Sequence, residues 1–116
     1  MAETCFPIKV AHGHLLDLID RGVDTIFLPS VINMPLSHPS LDRSFACPYV
    51  QAFPYAIKSA IDFKSHGVKV LSPVIHFGWA RKNMEQALAK MCRDLGKEED
   101  EVLQAIEKAQ AAQDSF

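Results

Sequence analysis

Asp24-Thr25-Ile26-Phe27-Leu28-Pro29 is a short apolar run closed by a proline, and Val68-Lys69-Val70-Leu71-Ser72-Pro73 ends the same way. Runs of this length between turn-forming residues read as buried strands. Ahead of the first run, Pro7 to Asp20 reads as a helix, with Ile8, Ala11, Leu15, Leu18 and Ile19 at roughly helical spacing. Pro7 suits the first helical position, where its missing N–H would have had no partner. Gly22 supplies the stop. Ahead of the second run, Pro54 to Ser65 reads as another helix, with Gly67 after its end.

Working outward, Trp79 to Leu95 predicts a third helix, stopped by Gly96. Glu98 to Gln113 predicts a fourth, whose first-turn acids favour the helix dipole. Between the two halves, residues 29–48 hold Pro29, Pro35, Pro39 and Pro48 and read as a long loop, which is usually functional or mobile. Tyr49-Val50-Gln51 has the look of a short strand.

Strands alternating with helices imply parallel pairing through right-handed crossovers. The expected class is therefore α/β: a small parallel sheet of two or three strands with about four helices, a Rossmann-like three-layer fragment. Residues 1–116 are read as a single α/β domain of a larger protein, with 79–116 a helical C-terminal extension. So small a parallel sheet needs both faces covered and its edges protected. More of a parent polypeptide, or a second copy, is expected to complete it.

Composition narrows the function classes. Nearly half the residues are hydrophobic and 22% are charged, as in an ordinary globular protein. A net charge of -2 argues against a general nucleic-acid binder, which carries a basic stripe. No apolar run approaches the roughly 20 residues that span a membrane, and the first residues show no signal-peptide pattern. Three cysteines without disulfide spacing fit a reducing, cytoplasmic setting.

The first helix breaks local rules. Lys9 sits in its first turn, while Asp17 and Asp20 lie near its negative end, each opposing the dipole by roughly 0.3–1 kcal/mol. Gly13 inside the helix costs about 1 kcal/mol relative to alanine. Such conflicts are expected at functional sites. The effect is positive potential at the helix start, from free N–H groups, Lys9 and His12, which suits an anion such as phosphate. Cys5 lies just ahead, where a helix start and a nearby lysine favour thiolate. The plainer reading makes Cys5 a small apolar residue and Lys9 a solvated one.

His12 and His14 point about 200° apart on a helix, so they do not chelate one ion together. His14 and Asp17 are three residues apart and within reach. A satisfied structural histidine is the commoner case. Cys47-Pro48 closes the long loop among aromatics Phe45, Tyr49 and Phe53, and Cys92 reads as core beside Leu88 and Leu95. Asn33 and His76 follow the two strands and could face a common crevice, since α/β proteins bind ligands beyond the carboxyl ends of their strands. Alternatively, Trp79 staples the third helix to the core and His76 is incidental.

Cys5-Phe6-Pro7-Ile8-Lys9, His12-Gly13-His14, Gly22 through Pro29, Cys47-Pro48-Tyr49-Val50-Gln51 and Pro54 together resemble a region of the large CoA-substrate-specific enzyme activases. These are the 2-hydroxyacyl-CoA dehydratase activator-related proteins, and the region resembles their domain of unknown function. It is more distantly similar to the subunits of 2-hydroxyglutaryl-CoA dehydratase and benzoyl-CoA reductase. The resemblance covers about residues 3–75.

The resemblance implies an iron–sulfur role. Dehydratase cysteines hold a [4Fe-4S] cluster that meets the acyl-CoA substrate, fed with electrons by an ATP-hydrolysing activator. By analogy Cys5 and Cys47 are metal ligands, and Lys9, His12 and His14 line the cofactor. A cluster normally takes four ligands, so the rest would come from outside the chain. No glycine-rich ATP-binding signature is present. The chain is then one part of an activase, not a complete enzyme, with the parent polypeptide or dehydratase subunits as partners and acyl-CoA as a possible ligand. Neither nucleic acid nor membrane is expected as a partner, while homo-oligomers are allowed. Two other readings stand beside it: a non-catalytic docking module, and a thiol enzyme with Cys5 as nucleophile and a distant histidine such as His76 as base.

Overall fold

The computed structural model describes residues 5–36, 38–41 and 43–116. Helix α1 (Phe6–Asp20) leads into strand β1 (Thr25–Phe27), which continues after a two-residue break as β2 (Ser30–Asn33). Helix α2 (Pro48–Ala60) leads into β3 (Lys69–Leu71) and β4 (Val74–His76), followed by α3 (Arg81–Arg93) and α4 (Glu99–Ser115). β1 pairs parallel with β3, and β2 parallel with β4. The α/β class read from the sequence therefore holds.

The two ladders are one interrupted ribbon. Thr25 faces Lys69 and Ser30 faces Val74, so the register is unchanged across the break and Pro29 falls level with Pro73. The Leu28 N–H donates to the Leu71 carbonyl at 2.8 Å and the Ser30 N–H to the Pro73 carbonyl at 2.9 Å. Residues 28 and 30 thus face the partner strand, and Pro29 faces away. Its missing N–H removes no bond from this ladder. That is why the chain continues as strand where a proline reads as an end. Pro73 does face the partner, and its absent donor divides the ribbon.

Several expectations change. The long loop expected over 29–48 begins as β2, and its far end returns alongside it. The Met34 N–H donates to the Ser44 carbonyl and the Ala46 N–H to the Ile32 carbonyl, both at 2.9 Å. Residues 37 and 42 of this loop lie outside the described residues. Tyr49-Val50-Gln51 is not a strand but the first turn of α2, because Pro48 occupies the favoured proline position at the helix start. Pro54, read as a helix start, lies inside α2 and is fully buried. Val74–His76, read as loop, forms β4.

α1 ends as Gly22 predicts. Gly22 has φ 74°, and the Val23 N–H reaches back to the Leu18 carbonyl at 3.4 Å. Leu15, Ile26, Ile57, Ile61, Phe63 and Val68 form the main core, joining α1, β1, α2 and the approach to β3. Ser30, 1% exposed, donates from Oγ to the Gln51 carbonyl at 2.7 Å and ties β2 to α2. A second cluster, Ala89 with Val102 and Ile106, joins α3 to α4, and Cys92 packs half-buried against it.

The molecule is open for its length. Its radius of gyration is 16.0 Å, against about 13 Å for a compact chain of this size. Its surface is 8465 Å², where a compact monomer of this mass has about 6,300 Å².

α4 is capped from within. The Glu98 N–H donates to Glu101 Oε2 at 3.1 Å, while the Glu98 side chain accepts from the Glu101 N–H. That backbone bond, then Lys97 3.1 Å away, hold the Glu101 carboxyl below its ordinary range. A carboxyl lowered in the folded state adds stability above its unfolded pKa and loses it as pH falls through the folded one. Thermal unfolding midpoints are therefore expected to drop on acidification more in the native chain than in Glu101→Gln. Equal acid sensitivity in the two would refute this.

Candidate functional site

Each cysteine-led helix runs directly into a strand. α1 reaches β1 through residues 21–24, and α2 reaches β3 through 61–68. Such short connections set a helix end beside a strand start. β1 and β3 are parallel, and α2 begins toward the end where the ribbon finishes, at Asn33 and His76. For α2 the placement is direct, because Ala46, bonded to Ile32 near the end of β2, immediately precedes Cys47. α1 packs against α2.

Both helices open alike. Cys5 and Cys47 are the N-caps, with φ/ψ of -59°/149° and -52°/138°, and each is followed by a proline in the first turn. Neither helix has a side-chain cap or an acid in that turn. Serine, threonine, aspartate or asparagine usually serves here by accepting a backbone N–H. The contrast with the acid-rich start of α4 is internal to the chain. Both cysteines are exposed. Phe6, at 76% exposure, and Phe45 and Tyr49 are exposed beside them.

Lys9 is exposed in the turn that follows Cys5. His12 is half-buried and His14 exposed, on different sides of α1, as their spacing requires. Asp17, the expected neighbour of His14, takes Arg21 Nε at 2.8 Å. Among the described residues, no group of three or more histidine, cysteine, aspartate and glutamate side chains could hold a metal ion.

Asn33 and His76 do come together, as ladder partners. Asn33 is buried, and its Oδ1 accepts the Gly78 N–H at 3.0 Å, which fixes the turn after β4. His76 stacks on Trp79 with ring centroids 3.5 Å apart and planes within 9°. Trp79 remains 54% exposed, so it props the turn and does not staple α3 to a core. His76 Nδ1 is buried without a hydrogen-bond partner. This His76–Trp79 stack is invisible to helical or strand periodicity. The only sequence signal for it is an aromatic three residues past a histidine, next to a glycine.

The fold and this end of it define an α/β module whose two leading helices open on cysteines. A family model described as a CoA enzyme activase uncharacterised domain matches residues 1–116. The chain belongs to that family. The match takes in α3 and α4 as well as the segments that carry the resemblance. No curated protein and no solved structure matches the chain. Among the described residues, no helix is long and apolar enough to cross a membrane.

The residues do not by themselves fit the [4Fe-4S] cluster that the resemblance implies. Such a cluster takes four ligands. Cys5 and Cys47 supply two sulfurs at most, and Cys92 is committed to the α3–α4 core.

Proposed function

We propose that this chain supplies part of an acyl-CoA-handling redox site in a larger, cytoplasmic activase-related protein. In this reading Cys5 and Cys47 present their sulfurs as two ligands of an iron–sulfur centre whose other ligands come from outside the chain. Lys9, with His12 or His14 from α1, would offset negative charge on the centre or on a CoA phosphate. The wider protein would couple ATP-driven electron transfer to 2-hydroxyacyl-CoA dehydration. The observation that carries the proposal is the shared construction of α1 and α2. Both begin with an exposed cysteine, a proline and uncapped N–H groups that attract negative charge.

Anaerobic reconstitution of the parent protein with iron and sulfide tests it. Cys5→Ala and Cys47→Ala are each expected to abolish or sharply reduce the visible charge-transfer absorption. Full loading in both variants would remove these cysteines from the site. A second reading, a docking module without chemistry, draws support from the open shape and the incomplete sheet. It expects unchanged loading in both variants.

A further inference from the structure

The two edges of the ribbon are not alike. On the β1–β2 side, Pro29 turns outward and offers no donor. The end of that edge is covered by Ser44–Ala46, next to a register shift at Val31 and Asn33. These are devices that blunt a sheet edge. The β3–β4 side has no outward proline and no segment paired to its ladder, and is flanked by α3. Lys69, Leu71 and Pro73 use their backbone groups toward β1 and β2, so alternation turns those of Val70, Ser72 and Val74 outward. Among the described residues no backbone partner meets them. Ser72 Oγ is also buried there without a partner. Along this edge runs a groove of about 410 Å³, lined by Lys69 and Ser72 from the strands and by Ala87, Lys90, Met91 and Asp94 of α3.

We propose that this edge is a homodimer interface, in which β3–β4 pairs antiparallel with the same edge of a second copy about a twofold axis at Ser72. Two observations select a second copy, and a third gives it room. First, the outward residues are symmetric about Ser72, so the axis sets Val70 opposite Val74 and Ser72 opposite itself. The outward backbone groups of the two Ser72 residues then pair with each other. Second, the α3 rim is self-complementary. Lys90 and Asp94 lie one turn apart with apolar Ala87 and Met91 among them. An antiparallel copy of α3 meets them in reversed order, Lys90 of one against Asp94 of the other. Lys69 Nζ is already held by the Asp94 carbonyl at 2.8 Å. Third, the surface exceeds that of a compact monomer by about 2,200 Å², more than the roughly 800 Å² per partner of a standard interface.

Sedimentation equilibrium of the chain in reducing buffer tests this. The native chain is expected to be a dimer. Ser72→Pro removes an outward donor that the internal ladder does not use, and is expected to give a monomer with unchanged far-ultraviolet circular dichroism. Should that variant misfold, charge exchange decides alone. Lys90→Asp is expected to weaken association by about tenfold or more, and Lys90→Asp with Asp94→Lys to restore it. A monomeric native chain, or a dimer indifferent to the charge variants, overturns the proposal.

Discussion

Ile57→Ala is expected to destabilise the chain by about 3–4 kcal/mol, the range for a large aliphatic residue truncated in a core that relaxes only partly. Ile57 is 2% exposed and sits among Leu15, Ile26, Ile61, Phe63 and Val68. That cluster joins α1, β1, α2 and the approach to β3. Total stabilities of domains this size run to only about 5–15 kcal/mol, so the loss is a large fraction of the whole. Urea unfolding should show the midpoint falling sharply with little change in slope. A shift under about 1 kcal/mol would mean the cluster does not hold these elements together.

Gly78→Ala is expected to cost about 2–3 kcal/mol, at the upper range for forcing atoms into a packed site. A Cβ built on Gly78 lies 2.6 Å from the Met34 carbonyl oxygen and 3.3 Å from Asn33 Cγ. The nearest atom is backbone, so relief requires moving the chain after β2. The Gly78 N–H bond to Asn33 would be strained with it. Gly13→Ala serves as the matched control. Nothing lies within 4 Å of its added Cβ, and alanine in a helix is better than glycine by about 1 kcal/mol. One glycine-to-alanine change should thus lower the melting temperature and the other raise it. If both behave alike, the close approach at Gly78 is not real.

The sequence made the helices legible because their signals are local. The stripe from Ile8 to Ile19, the stop at Gly22 and the acids of Glu98 to Glu101 each act within a few residues. The strands were legible only up to their prolines. Whether Pro29 ends a strand depends on which neighbour its missing N–H would have faced, and that is a property of the register with residue 73. The same limit hid β4. Pro54 misled for the opposite reason, because a proline reads as a helix start even where burial holds it one turn and more inside. The reciprocal cap of α4 has no clear sequence signal, since glutamate is not a usual N-cap residue.

The candidate site was legible in its parts and not in its assembly. Cys5 and Cys47 stand out separately in the sequence, one by a broken dipole rule and the other by its loop. That they occupy the same position on two helices appears only when Tyr49-Val50-Gln51 becomes helix. Periodicity gave no hint of the His76–Trp79 stack or of the buried amide contact between Asn33 and Gly78. Both depend on residues meeting across more than one element.

The two level prolines also divide how the molecule is held together. The main apolar cluster draws on β1 and the approach to β3, and no residue of β2 or β4 belongs to it. The ribbon loses a cross-strand bond at the point where it leaves that cluster. The cysteine-bearing end therefore depends on anchors of its own: buried Asn33 and Ile75, the Ser30–Gln51 bond and the Gly78–Asn33 bond.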